Sequence, residues 1–374
     1  MNTVYSCHRH RGLVFLRDIV RLDDWNGDLT AIREAEKSFK DDTHTYAALQ
    51  TNSYLGQLVA HQLSEPDREC LQHLRLTDPR LDKQRIELTK GGLVEGSYRW
   101  VIHSPEFRQW CNDAESQLLW IKGDPGKGKT MLLCGIIDEL REANVAGVSF
   151  FFCQASDARI NNATAVICGL LYLLVEQQPS LLAHVRKKYD RAGEQLFKSA
   201  NAWIEVTNIM TNVLQDPALE KSYLIVDALD ECVDDDDRLN LLKFIVQSSA
   251  SSRVKWIASS RNWQQIEEQL NLAPQRIRLS LEMNAESVAT AVDHYIRYKT
   301  EHLSKLKKYD LKTETAIRDY LSLHADGTFL WVALICKYLE EKVSRMERRG
   351  QGRNVPSWAQ ASVPPDDGAP TKLG

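Results

Sequence analysis

No run of apolar residues in this chain is long enough to cross a bilayer. The longest, Ala163 to Val175, stops short of the roughly 20 residues that a spanning helix needs, and reads as a buried helix. The opening stretch, Met1 to Val20, contains only the short apolar run Leu13 to Leu16 closed by Arg17, so it makes neither a secretory signal nor a membrane span. A basic excess is also missing. The 47 Lys and Arg are balanced by 51 Asp and Glu, a net charge of −4, and the basic pairs are scattered, which argues against a nucleic-acid partner. The eight cysteines, Cys7, Cys70, Cys111, Cys134, Cys153, Cys168, Cys232 and Cys336, are widely spaced and form no C-x-x-C pair. Zinc-ligand spacing is therefore absent, and a reduced, cytoplasmic protein is the simple expectation. No repeat with a period of roughly 20 to 50 residues recurs.

What is present is a globular composition, 374 residues with 43% hydrophobic and 26% charged, enough for two or three domains. The organising stretch is Leu118-Leu119-Trp120-Ile121-Lys122-Gly123-Asp124-Pro125-Gly126-Lys127-Gly128-Lys129-Thr130-Met131. An apolar run of strand length stops at Gly123, a glycine-rich turn follows, and Gly128-Lys129-Thr130 opens a helix-compatible segment. In this G-x-x-x-x-G-K-T pattern the glycines let backbone N–H groups turn inward around phosphate oxygens, and the helix presents its positive end to the same anion. Gly123, Asp124, Pro125, Gly126, Lys127, Gly128, Lys129, Thr130 and Met131 are the expected nucleotide-binding segment. Lys129 would reach the β- and γ-phosphates, and the hydroxyl of Thr130 would ligate Mg²⁺.

A second anchor is Tyr223-Leu224-Ile225-Val226-Asp227-Ala228-Leu229-Asp230-Glu231. Ligands in open α/β sheets sit beyond the carboxyl ends of the strands, so carboxylates here face the phosphate loop. Asp227 fits the aspartate that holds the magnesium shell, while Asp230 and Glu231 fit groups that orient or activate water. Asp234-Asp235-Asp236-Asp237 reads as a solvated helix entry rather than a metal site. A third strand, Val254 to Ala258, ends in Ser259-Ser260-Arg261, and Arg261 at that strand end could sense the γ-phosphate.

Val148 to Cys153 and Arg276 to Leu279 supply two more strands, giving a five-stranded, mostly parallel sheet in an α/β fold of the P-loop NTPase type. Helices are expected near 163–177, 181–191 and 201–215, and over Ser97 to Trp110 with a break at Ser104-Pro105. Before them, Leu29, Ile32, Ala35 and Phe39, then Leu55, Leu58, Val59 and Leu63, suggest two amphipathic helices. Asp78 to Glu87 reads as a charged loop with a proline break, and Lys90-Gly91-Gly92 as a turn. From Ala285 the alternation gives way to three helices. There Gly327-Thr328-Phe329-Leu330-Trp331 reads as core packing after a glycine turn, with a nucleotide-facing role as the minority reading. The expected organisation is a helical linker over 1–75, a nucleotide-binding domain over 76–280, a small helical module over 281–345 and a disordered tail over 346–374.

Three of these segments, Gly123 to Thr130, Asp227 to Glu231 and Ser259 to Arg261, resemble a NACHT domain. More closely, Leu76-Thr77-Asp78-Pro79-Arg80, Trp120-Ile121-Lys122-Gly123, Asn161-Asn162-Ala163-Thr164 and Gly327 to Trp331 resemble the fungal NOD-like receptors, including heterokaryon-incompatibility proteins. The resemblance covers about Asp67 to Val343. It implies a signalling switch that binds ATP or GTP with Mg²⁺, hydrolyses it slowly and forms homo- or hetero-oligomers with related chains. Purine contacts, in such folds, come largely from backbone before the phosphate loop, here around Arg85-Ile86. An effector domain, C-terminal repeats and the usual winged helix are not recognisable, and the segment holding Val363-Pro364-Pro365-Asp366 reads as the product of a shifted frame or a truncated gene. An alternative role is a truncated, non-hydrolysing interaction module that associates with full-length receptors.

Overall fold

Five apolar runs build the sheet, and their order fixes where the chemistry falls. A computed structural model describes residues 63–348, apart from 114, 144–146, 252–253 and 275. The strands are β1 (Leu118–Lys122), β2 (Val148–Phe152), β3 (Tyr223–Asp227), β4 (Lys255–Ser260) and β5 (Ile277–Ser280), all parallel in the order β2-β3-β4-β1-β5. β2, β3 and β4 are buried along their whole length, as strands covered on both faces must be. β4 lies between β1 and β3, with Lys122 opposite Ser260 and Phe152 opposite Asp227. The Ser259-Ser260-Arg261 strand end therefore sits between the phosphate loop and Asp227.

Fourteen helices surround the sheet among the described residues. Those before β1 are α1 (Glu65–Leu74), α2 (Pro79–Thr89), α3 (Arg99–Ile102) and α4 (Pro105–Asn112). The break expected at Ser104-Pro105 is real: the Ser104 hydroxyl accepts from the Phe107 amide and caps α4. The expected charged loop over Asp78 to Glu87 is instead helix α2. Pro79 occupies a first-turn position, where its missing N–H costs nothing, and Asp78 caps the start by accepting from the Arg80 amide. Most of its charges are a helix surface, but Asp82 and Lys83 are buried. Lys83 donates to Glu87 at 2.6 Å and to Asp138 at 2.8 Å, clasping α2 to the helix that follows the phosphate loop.

That helix is α5 (Lys129–Glu142). After β2 come α6 (Ala163–Gln177), α7 (Leu182–Ala192), α8 (Gln195–Lys198) and α9 (Ala202–Gln215). α6 is buried on almost every side and packs on β2. α10 (Asp235–Ser251) and α11 (Gln264–Leu270) follow β3 and β4. The acidic run opens α10 as expected, with Asp234 accepting from the Asp237 amide at 2.9 Å and Arg238 paired to Asp235.

The three helices expected at the end are α12 (Ala285–Lys307), α13 (Leu311–His324) and α14 (Phe329–Arg348). Val288, Val292, Tyr295, Ile296, Ile317, Leu321, Val332 and Leu339 are buried as their spacing requires. Leu323 and Leu334 are exposed. The described residues from Ser64 onward form one compact unit. The two helices expected before Leu63 lie outside the described residues, as does the expected tail beyond 348; its first three residues, 346–348, are the end of α14.

At the end of the sheet away from the phosphate loop, the ammonium of Lys255 is buried among backbone carbonyls. It donates to Trp110, to Asp113 at 2.8 Å and to Ser116 at 3.1 Å, and so satisfies the carbonyl end of α4. Lys255→Met leaves those acceptors without a donor and should lower unfolding stability by about 2 kcal/mol, read as a shift in urea midpoint. Nucleotide binding at the opposite end should not change.

Candidate nucleotide-binding site

The phosphate loop takes its shape from two glycines. Gly126 and Gly128 have φ of 81° and 85°, a region L side chains avoid, and a Cβ at Gly128 would stand 2.8 Å from the Phe329 ring. α5 starts directly afterwards, so its first N–H groups and positive end face the turn. Lys129 curls back over the loop and donates to the carbonyls of Gly123 at 2.5 Å and Asp124 at 3.1 Å. Burial lowers its pKa, while Asp230 and Asp227 pull it back up. The entry of the loop is held from the neighbouring strand ends. The Asp124 amide donates to Glu282 at 2.7 Å and Asn262 donates to the Asp124 carboxylate at 3.0 Å.

Asp227 is 2% exposed, and burial pushes its carboxyl above the ordinary range despite hydrogen bonds from Ser259 and Thr130. The next residue, Ala228, adopts φ 55°, ψ 56°, and from it a single tight turn, Leu229–Glu231, carries the other two carboxylates. Asp230 accepts from Arg261 twice, through its amide and through Nε, each at 2.9 Å. Glu231 is half-buried and accepts from the Ala155 amide at 3.0 Å.

These groups share a cavity of about 600 Å³. Pro125 to Leu132 and Asp227, Ala228, Asp230, Glu231 and Arg261 form one side of it. Leu88 to Gly92, with Val94, Ser97 and Trp100, form another, and Val288, Tyr295, Lys299, Phe329, Leu330 and Leu334 from the helical module complete it. The structure thus brings every sequence-derived site residue to one place, with Gly123 and Asp124 at the foot of the loop rather than in the cavity wall. Arg85 and Ile86 are not in that wall. Arg85 pairs with Asp82 and Gln154, Ile86 is buried, and the segment that lines the cavity begins at Leu88.

Sequence reasoning missed one contributor and held a second only as the minority reading. Gly91 and Gly92, with φ of 87° and 88°, form a left-handed turn against the cavity, and the paired glycines were the signal. Phe329 packs edge-on against Tyr295 with ring centroids 5.5 Å apart, but it is only half-buried and faces the cavity, and Leu330 beside it is exposed, so the core packing expected of this segment holds only in part. No sequence feature separates those two uses.

The residues fit a magnesium nucleotide. A hydroxyl and a carboxylate, Thr130 and Asp227, are hard oxygen donors beside an anion-binding loop, the set Mg²⁺ takes when phosphates and water supply the rest. Among the described residues there is no group of three or more His, Cys, Asp or Glu that could hold a metal by themselves. No described helix is long and apolar enough to cross a membrane.

Residues 96–261 match the family model for the N-terminal region of nephrocystin 3, and residues 1–63 match the model for the N-terminal domain of NWD NACHT-NTPase. The second match falls within the stretch read above as a helical linker, where periodicity carried no sign of it. The chain is 57% identical over 277 residues to the vegetative incompatibility protein HET-E-1 of Podospora anserina, covering 74% of this chain and spanning 20% of that relative's length. Among solved structures it is similar to the Walker-type ATPase of Pyrococcus abyssi, with 13% identity, TM-score 0.38, and 65% of this chain and 68% of that one covered. It is also similar to domain III of the replication initiation protein DnaA from Thermotoga maritima, with 11% identity, TM-score 0.36, and 72% and 92% covered. Likeness at those scores leaves the fold resting on the strand order and the loop. The amino-terminal match and the extended identity to a fungal incompatibility protein show that the chain belongs to the fungal NACHT family.

Proposed function

We propose that this chain is a nucleotide-binding switch of heterokaryon-incompatibility signalling, which binds ATP or GTP with Mg²⁺ and hydrolyses it slowly. The observation that carries the reading is the convergence of the glycine loop, Asp227, Glu231 and Arg261 on one cavity that the helical module also lines.

In this reading the loop amides and Lys129 hold the phosphates, Lys129 exchanging its carbonyl partners for phosphate oxygens. Thr130 and Asp227 hold the cation, which neutralises charge developing on the β- and γ-phosphates. Glu231 accepts the proton of the attacking water or orients it. Asp230 anchors Arg261 beside the γ-phosphate position, since both of its oxygens are engaged there. Val288, Tyr295 and Phe329 belong to the helical module, so a nucleotide in the cavity touches both parts of the chain. It shifts their equilibrium only by its difference in affinity for the open and closed arrangements. Residence in the cytoplasm and oligomers with related chains complete the proposal.

The test is binding and turnover of ATP and GTP by the purified chain, with Mg²⁺ and with EDTA, alongside Lys129→Ala. Magnesium-dependent binding that Lys129→Ala weakens about 10- to 100-fold supports the switch, since a charged hydrogen bond contributes roughly 1.5–3 kcal/mol. Binding without turnover favours a non-hydrolysing interaction module, and no binding to either nucleotide overturns the reading.

A further inference from the structure

One buried hydroxyl connects two features that the nucleotide site needs. Ser259 is 0% exposed at the carboxyl end of β4, between the phosphate-loop strand and the Asp227 strand. Its Oγ donates to Asp227 Oδ1 at 2.5 Å and accepts from the Ala228 amide at 2.9 Å. A serine hydroxyl has one proton, and Asp227 takes it, so the amide is met by the oxygen's lone pair and both contacts form together. The first contact aims the carboxylate that lines the same cavity as the Thr130 hydroxyl. The second holds Ala228 at φ 55°, a left-handed backbone that an alanine keeps only when its surroundings enforce it.

From Ala228 the chain turns at once into Asp230 and Glu231, and Asp230 returns to the amide and Nε of Arg261, two residues beyond Ser259. The loop is closed: Ser259, Asp227, Ala228, Asp230, Arg261 and back along β4. Ser260, the adjacent buried serine, makes no such link. Its hydroxyl donates to the Arg261 carbonyl at 2.9 Å and accepts from the Trp120 indole at 3.0 Å.

We propose that Ser259 is a positioning residue which sets the metal-holding carboxylate and the turn bearing Asp230 and Glu231 with a single hydroxyl. The inference rests on the magnesium-nucleotide reading above. Without the hydroxyl, Asp227 keeps its burial but loses its aim, and the Ala228 amide is left buried without an acceptor. The turn then relaxes away from its left-handed shape, and the two carboxylates move with it. The glycine loop and Lys129 are untouched. Metal-dependent affinity therefore falls while metal-free affinity remains, a split that general loss of stability does not produce.

The experiment measures binding of slowly hydrolysed ATP and GTP analogues to the full chain in excess Mg²⁺ and in EDTA, with a thermal melt of each variant. In Ser259→Ala the EDTA affinity should stay within about twofold, and the gain on adding Mg²⁺ should shrink about tenfold or more, as losses of residues that orient metal ligands typically do. Ser259→Thr, which keeps the hydroxyl, should restore most of the gain, and Ser260→Ala should keep all of it. Should the alanine variant fail to fold, Ser259→Cys, similar in size with a weak donor, should show the same split. A parental magnesium gain in Ser259→Ala, or equal losses with and without Mg²⁺, overturns the inference while leaving the functional reading intact. A parent chain that binds neither analogue overturns both.

Discussion

Glu231→Gln should abolish measurable turnover and leave nucleotide bound. The expected loss is about 100- to 1,000-fold in the single-turnover rate, the usual worth of a positioned acid or base. The substitution is sparing. Glu231 accepts the Ala155 amide at 3.0 Å, and a glutamine carbonyl can accept the same N–H, so the loop after β2 keeps its anchor while the charge disappears. Asp227 and Lys129 are unaltered, so affinity with Mg²⁺ should stay within a few-fold. Asp230→Asn is the informative contrast. Its oxygens are already occupied by Arg261, so loosening that pair should weaken discrimination between di- and triphosphate before it slows the chemistry. Phosphate release and di- versus triphosphate affinity, measured together, separate the two carboxylates. A Glu231→Gln chain that turns over at the parental rate would remove Glu231 from the reaction.

The parts of this architecture that local chemistry dictates could be read before the structure. β1, β3 and β4 are buried strands whose apolar runs end in residues with no reason to be apolar, and the ends coincide with Gly123, Asp227 and Arg261. α6 is apolar on almost every side, which marks it as a buried helix before its neighbours are known. Legibility failed where two physical uses share one spelling. Asp78 to Glu87 is rich in charge with a proline, as a loop would be, but Pro79 stands where a helix tolerates it and Lys83 buries its charge against Asp138 and Glu87. Glu87 is one helical turn from Lys83, but Asp138 lies too far along the chain for any local pattern to reveal.

The cavity's second half was hidden for the same reason. Tyr295 and Phe329 are spaced like core residues, and the half-buried Phe329 packs against the buried Tyr295. Only the placement of α12 and α14 against the phosphate loop makes them part of the site as well. Strand order was equally out of reach. Insertion of β4 between β1 and β3 is a long-range choice, and it is what delivers Ser259 and Arg261 to the centre.

That placement of α14 carries the second large effect. Gly128→Ala should lower nucleotide affinity about 10- to 100-fold, from two separable causes. Its φ of 85° strains any side chain by roughly 1–3 kcal/mol, and its new methyl would meet the Phe329 ring at 2.8 Å. Gly193→Ala supplies the first cause alone, because φ there is 58° and nothing lies within 4 Å of the added carbon. It should cost about 1 kcal/mol of stability and leave binding unchanged. Phe329→Ala removes the obstacle in the second. If the helical module rests on the loop as the Gly126 carbonyl, which accepts the Leu330 amide at 3.3 Å, indicates, the double variant should recover part of the affinity lost in Gly128→Ala. The coupling expected from such contact is about 0.5–3 kcal/mol. A coupling of zero would mean that in solution the module stands away from the loop. The nucleotide would then have to draw the module in, and the closed contact between Phe329 and Gly128 would belong to the bound state alone.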